Sequence, residues 1–243
     1  MTDYPMVSCL MPTKNRGAFI PRALEMFLLQ DYPGDVELIV IEDGDEDCSD
    51  FIQSKVEAMD VGHVHRLGSK IIYRRFEGTL GAKLNEGAQI ARGEICINWD
   101  DDDWNAPNRI SVQVAHMQMT GKPVVGLSSL IYYTEGEKVG WEYTGDAWYA
   151  SGSTHCYRRD WILAHPRPDR TVGEDNEFAA LAKQHGAIST LSGSAVLVAC
   201  DHFGNCSNRG DAELRQLIRN TSDNFRQVPL SEFLATIGIY GFH

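Results

Sequence analysis

The chain has 243 residues, 43% of them hydrophobic, with 34 acidic against 22 basic side chains and a formal net charge of −12. That length suits one large or two small domains with a substantial core, and the charge disfavours broad electrostatic binding to nucleic acid or to an anionic membrane surface. No stretch approaches the ~20 apolar residues of a membrane span. The N-terminus lacks the basic and apolar regions of a signal peptide, and six scattered cysteines without a CxxC pair read as reduced residues of a cytoplasmic protein, with no zinc-site spacing.

Strand and helix signals alternate through the first half, which predicts an α/β architecture with a mainly parallel sheet. Met6 to Met11 is a short apolar run closed by Pro12, and Pro21 to Gln30 carries Ala23, Leu24, Phe27 and Leu28 on one helical stripe. Val36 to Ile41 is apolar almost throughout, as in a strand covered on both faces, and it ends in Glu42-Asp43-Gly44. Ser49 can cap a helix reaching about Met59. Lys70 to Tyr73 opens a third strand, and Gly81 to Ala91 reads as a helix with Leu84, Ala88 and Ile90 inward. Glu94 to Trp99 is the fourth strand and delivers four consecutive aspartates, Asp100 to Asp103. Trp104 and Pro107 end it and start a helix with Ile110, Val114 and Met117 on one face.

The pattern changes after Gly121. Val124 to Tyr133, Val139 to Tyr143 and Ser153 to Tyr157 are β-like segments separated by Gly-rich turns, which predicts hairpins laid beside the parallel sheet. A short helix from Asp160 to His165, a Pro-rich loop, Gly173-Glu174-Asp175, a helix from Asn176 to His185 and a strand from Ala195 to Cys200 follow. The tail beyond Arg209 is more polar, with one helix near Ala212 to Asn220. One compact domain over 1–209 with a C-terminal helical appendage at 210–243 is the simplest organisation.

Carboxylates crowded at a strand end repel one another unless a cation sits among them. Mg²⁺ and Mn²⁺ take carboxylate oxygens and commonly keep substrate phosphate oxygens as further ligands. An acidic run can also be a solvated loop, but this one follows a buried strand directly, where open α/β sheets place their ligand crevice. Asp43 and Glu174-Asp175 stand at two further element ends. Asp43-Gly44 also makes a good turn, and Glu174-Asp175 also suits a helix N-terminus.

In order and spacing the chain resembles the family 2 glycosyltransferases. The resemblance rests on Pro12-Thr13-Lys14-Asn15-Arg16, on Leu28 to Pro33, and on Glu37 to Gly44. It continues through Gly81 to Gly87, Ala91 to Glu94, Asp100 to Asp103 and Gly173-Glu174-Asp175, covering roughly residues 6 to 205. It implies a GT-A type, Rossmann-like three-layer sandwich, with a nucleotide-sugar half at about 1–105 and an acceptor half at about 106–209. Carried over by position, Thr13 and Asp43 hold the nucleotide base, with Pro12, Asn15, Arg16, Lys83 and Asn85 in the same pocket. Asp100 and Asp102 match the DxD motif, Asp102 being the metal ligand, while the run leaves Asp101 and Asp103 able to share these roles. Asp175 matches the general base of the xED motif and Glu174 its supporting residue. Gly152 falls where a turn approaches the donor sugar, and His202 where a histidine joins the metal, although an ordinary histidine is an equal reading there.

Sugar transfer from a nucleotide needs a departing diphosphate stabilised by a divalent metal, Mn²⁺ or Mg²⁺, and a base on the acceptor. One base and no enzyme nucleophile imply direct displacement with inversion. A hydrolase would use two flanking carboxylates, one protonated. The expected partners are therefore a nucleotide-diphosphate sugar, UDP-linked by family default, and an acceptor that could be a saccharide, a lipid-linked glycan, a peptide or, against the overall charge, a nucleic acid. Trp141, Tyr143, Trp148 and Tyr149 can serve as acceptor platforms or as cross-strand packing. Lys14, Arg16, Arg74, Arg75, Arg158, Arg159, Arg167 and Arg170 could line a local anionic groove. A homodimer is left open. A noncatalytic nucleotide-sugar-binding protein and a sugar nucleotidyltransferase are the competing readings. The latter usually carries a Gly-rich loop where Pro12 to Arg16 stand.

Overall fold

The structure, a computed structural model, describes residues 4–45, 47–54, 69–134, 136–148, 150–202, 218–229 and 231–232. Its centre is a seven-stranded sheet. Strands β1 (Val7–Thr13), β2 (Val36–Glu42), β3 (Ser69–Arg75) and β4 (Ile95–Asn98) are mutually parallel. Their side chains alternate between two cores: Val7, Cys9 and Met11 face one and Leu10 the other, and Ile95 and Ile97 oppose Cys96 in the same way. This is why the runs look continuously apolar rather than alternating.

Helices α1 (Ile20–Leu28) and α3 (Arg109–Thr120) cover the first face through Ile20, Ala23, Leu24, Phe27, Ile110, Val114 and Met117. The other face carries α2 (Leu80–Ile90), α4 (Arg159–Ala164) and α5 (Glu174–Gln184), which insert Leu84, Ala88, Ile162, Phe178 and Ala182. Three layers result. Pro21 sits in the first turn of α1, where its missing N–H costs nothing, and Thr79 caps α2 by accepting the Ala82 N–H. The helix expected from Ser49 begins there, with the Ser49 N–H donating to Asp47 Oδ1 at 2.9 Å. Its expected end near Met59 lies outside the described residues.

The second half keeps one expected hairpin, Ile131–Thr134 paired antiparallel with Val139–Tyr143, but places it in a separate sheet. The β-like stretch from Val124 splits at Leu130 into β6 (Val124–Ser129), which joins the central sheet, and β7 (Ile131–Thr134), which does not. A three-residue strand, β9 (Cys156–Arg158), runs antiparallel between β4 and β6. Cys156 enters one core and Tyr157 the other, so this short segment needs partners on both edges. Ser153, expected in that strand, belongs instead to a 3₁₀ turn at Gly152–Thr154. Strand β10 (Ile188–Ser192) closes the sheet in the order β10-β6-β9-β4-β1-β2-β3.

A second, five-stranded sheet has the order β12-β8-β7-β11-β5, built from β5 (Trp104–Asn105), β7, β8 (Val139–Tyr143), β11 (Leu197–Asp201) and β12 (Phe225–Pro229). Strand β5 directly follows the four aspartates and pairs with β11. Within 210–243 the described residues include helical 218–221 and the strand β12, which pairs with β8. Most of the helix expected near Ala212 lies outside the described residues. Among these residues, no helix is long and apolar enough to cross a membrane, and Cys9, Cys48, Cys96, Cys156 and Cys200 form no disulfide.

Candidate active site

A cleft of about 380 Å³ opens at the carboxyl ends of β1 and β4. Arg16, the run Asp100 to Asp103, Gly152, Glu174 and Asp175 line it together. Sequence positions separated by more than 150 residues thus converge on one crevice, where doubly wound sheets bind ligands.

The aspartates diverge in direction. Asp101 turns toward β1, accepting the Thr13 hydroxyl at 2.6 Å and Arg16 Nη1 at 2.8 Å. Asp100, Asp102 and Asp103 group, with one ligand oxygen from each lying within 4.8 Å of the others. Arg16 Nη1 also bonds Asp102 Oδ2 at 2.8 Å, and His202 Nε2 lies 2.9 Å from that same oxygen. His202 stacks on Phe19 with ring centroids 4.7 Å apart. Arg22 Nη2 donates to the Asp102 carbonyl at 2.7 Å, and the Cys200 N–H to Asp103 Oδ1 at 3.0 Å. Burial, and then the charges of Asp102 and Asp101, push the Asp100 carboxyl up to about 7. Burial followed by Asp102 and Asp100 drives Asp103 well above the usual carboxylate range. Three hard oxygen donors, of which Asp100 and Asp103 resist ionisation, are a donor set suited to Mg²⁺ or Mn²⁺.

Asp43, at the end of β2, accepts Lys83 Nζ at 2.5 Å, and that ammonium also donates to the Thr13 carbonyl at 2.8 Å. Lys14 approaches its other oxygen at 3.4 Å. Asn15 has φ 52° and accepts the Asp45 N–H at 2.7 Å, tying the β1 and β2 loops together. Pro12 lines the cleft. Asn85 is placed differently from the nucleotide pocket expected for it: its amide brackets the Arg167 backbone, donating to the carbonyl and accepting the N–H, both at 2.9 Å.

Asp175 lies in the first turn of α5, whose N-cap Gly173 has φ 79°. Its Oδ2 accepts the Gly152 N–H at 3.1 Å. A Cβ on Gly152 would come 2.9 Å from Asp175 Cβ, so only glycine permits this approach. Asn98, at the end of β4, donates to the Gly152 carbonyl at 2.6 Å. Glu174 is buried and bonds Arg167 Nη1 at 2.6 Å.

The aromatic residues separate. Trp141 is buried in β8, and Tyr143 packs on Phe225 at 5.4 Å, so both hold the second sheet together. Trp148 is exposed, with Lys183 Nζ 3.5 Å from its ring centroid. Tyr149 lies outside the described residues. The basic residues do not form one groove: Arg74 pairs with Glu86, Arg158 with Asp160, Arg170 with Glu177, Arg167 is buried, and Arg159 bonds the Ala88 carbonyl.

Sequence reasoning missed Arg109 behind the cleft and took Arg167, buried there as well, for a groove residue. Arg109 donates to the carbonyls of Asn98 and Ser153, both at 2.6 Å, joining the aspartate strand to the Gly152 turn. Arg167 performs the corresponding task at Glu174. Neither carries a local signal, because arginine is ordinarily exposed.

A mixed, mainly parallel sheet between two helical layers, with its cleft at the strand ends, is the GT-A architecture of glycosyltransferases. The likeness to solved structures bears this out. Staphylococcus aureus TarS 1-349 in complex with UDP-GlcNAc superposes with a TM-score of 0.65 at 18% identity over 96% of this chain and 70% of that one. The mannosyltransferase PcManGT of Pyrobaculum calidifontis, in complex with GDP-Man and Mn²⁺, gives 0.63 at 19% identity over 90% and 61%. The chain belongs to glycosyl transferase family 2, which matches residues 8–177. Among relatives, WcaA of Escherichia coli K12, named for colanic acid biosynthesis, is 33% identical over 121 residues, 49% of this chain and 40% of its own length. EpsH of Bacillus subtilis 168 is 35% identical over 106 residues, 44% and 28%. The chain thus spans less than half the length of these curated relatives.

Proposed function

We propose that this protein is an inverting, metal-dependent glycosyltransferase that moves a sugar from a UDP-linked donor to an acceptor hydroxyl. The observation carrying this reading is that Asp175 lies on the wall of the cleft that also holds Asp100, Asp102 and Asp103, while the neighbouring Glu174 is tied up by Arg167. Asp100, Asp102 and Asp103 would hold a divalent ion, with His202 beside them. When bound, Mn²⁺ or Mg²⁺ supplies charge neutralisation for the departing diphosphate.

The chain's own residues do the rest. Asp43, Thr13 and Asn15 form the base-binding corner, Lys83 orients Asp43 through its direct contact, and Arg16 reaches toward the phosphates. Asp175 accepts the proton of the acceptor hydroxyl as that oxygen attacks the anomeric carbon. Glu174 supports it through Arg167. Trp148 offers an exposed aromatic face to a saccharide, lipid-linked glycan or peptide acceptor. Five described cysteines outside any disulfide fit a cytoplasmic setting.

A thermal-shift screen of nucleoside diphosphates with and without Mn²⁺ tests donor recognition, since a ligand of the native state raises its stability. Mn²⁺-dependent hydrolysis of UDP-GlcNAc and GDP-mannose then tests turnover. Asp175→Asn is expected to spare nucleotide binding and to lower turnover ~100-fold or more. Equal turnover in the variant would remove Asp175 as the base. Donor binding without hydrolysis or transfer would favour a noncatalytic binder.

A further inference from the structure

Behind the cleft wall, Arg167 is fully buried on the loop between α4 and α5. Nη1 donates to Glu174 Oε2 at 2.6 Å, and Nη2 to His155 Nδ1 at 2.9 Å. Burial first, and the Arg167 charge second, hold His155 well below its usual pKa, so the ring is neutral. With Nδ1 accepting, its proton resides on Nε2, which faces the Ala150 carbonyl at 3.2 Å. The guanidinium carbon lies 4.2 Å from the Phe178 ring centroid and 5.4 Å from that of Tyr157. Its backbone is equally constrained by the paired amide of Asn85, and the Gly81 N–H donates to the Arg170 carbonyl at 3.1 Å. A side chain on Gly81 would come within 2.0 Å of the Pro168 carbonyl oxygen, so the loop lies flush against α2.

The contacts close into a ring. It runs from Ala150 through His155, Arg167 and Glu174 to Asp175, and returns through the Gly152 N–H to the turn that Ala150 leads into. We propose that Arg167 is a positioning residue for sugar transfer. It fixes the distance between the base, Asp175, and the donor-facing turn at Gly152, and this role rests on the reading of Asp175 as the base. A guanidinium suits the task because its fork offers donors in divergent fixed directions, which an ammonium does not. Stability alone is a poor reason to keep such a pair, since hydrophobic replacements of buried ion pairs are often neutral or better.

The test uses the full chain with Arg167→Lys, Arg167→Met, Asp175→Asn and the Asp175→Asn/Arg167→Met double variant. The probe is Mn²⁺-dependent hydrolysis of UDP-GlcNAc or GDP-mannose, with amide exchange read over residues 150–155 and 174–178. Misplacement by about 1 Å costs on the order of 100-fold, so both Arg167 variants are expected to lose about that much kcat with KM held within twofold. The double variant is expected to be no slower than Asp175→Asn. Both peptides are expected to exchange faster without nucleotide, while those of β1 and β4 do not. A kcat loss that multiplies with that of Asp175→Asn, or unchanged exchange in both peptides, overturns the role. Arg167→Lys keeps the buried charge and so the test, should Arg167→Met fail to fold. If Asp175→Asn alone leaves hydrolysis intact, the base assignment falls and takes the proposal with it. If Asp175→Asn slows hydrolysis and the Arg167 variants do not, only the positioning role falls.

Discussion

Arg16 Nη1 bonds Asp102 Oδ2 at 2.8 Å, the same oxygen that His202 Nε2 approaches at 2.9 Å. A guanidinium therefore offsets the charge of an aspartate on which a divalent ion would also draw. An interaction of ~1.4 kcal/mol is a factor of about ten in affinity. Arg16→Gln is expected to tighten Mn²⁺ binding about tenfold in the absence of nucleotide, measured by the free-Mn²⁺ signal in electron paramagnetic resonance. Weaker or unchanged Mn²⁺ affinity would show that Arg16 does not compete there.

Asp102→Ala removes the carboxylate shared by these contacts. Mn²⁺-stimulated binding of UDP should disappear in calorimetry, whereas Asp101→Asn, whose side chain faces Thr13 and Arg16, should retain it. Equal loss in both would mean that the two neighbours share the metal role.

Gly152→Ala sets a methyl group against Asp175. The contact falls at 2.9 Å from Asp175 Cβ, so the carboxylate must move. Hydrolysis should fall about 100-fold, on the scale of a 1 Å misplacement, with UDP affinity within twofold of the wild type. Full activity in the variant would argue that the Gly152 contact is not part of the working geometry.

His155 sets an acid limit on stability. Its folded pKa is depressed by burial and by Arg167, so the unfolded chain takes up the proton first as pH falls. The contribution is intact above the ordinary value of about 6.5 and declines below it, by up to ~1.4 kcal/mol per pH unit. Urea midpoints between pH 7 and pH 5 should fall less steeply in His155→Asn than in the wild type. Parallel slopes would place the acid sensitivity elsewhere.

Strands β1, β2 and β4 were legible because residues such as Cys9, Leu38 and Cys96 are buried between helical layers, leaving apolar runs, two of which lead into carboxylates. The second half was harder to read for a physical reason. Three residues, Cys156 to Arg158, are too few to display a period, and β12 consists of mixed residues on a partly exposed ladder. Candidate residues at strand ends were visible, but their directions were not. Asp101 faces Thr13 while its neighbours group together, a difference made by turn geometry that residue type does not encode. Asn85 was expected in the nucleotide pocket, whereas its amide braces Arg167, whose burial no local pattern announced.

Strand β5 has only two residues, Trp104 and Asn105, fixed opposite Val198 and Leu197. Because side chains alternate along a strand, a one-residue insertion or deletion before Trp104 would send it to the opposite face, away from Arg22, whose guanidinium carbon lies 4.5 Å from its ring centroid. The same slip would detach the Cys200 N–H from Asp103. The number of aspartates is thus set by ladder registration as much as by the demand for negative charge. Substitution within the run is a milder perturbation than any change in its length.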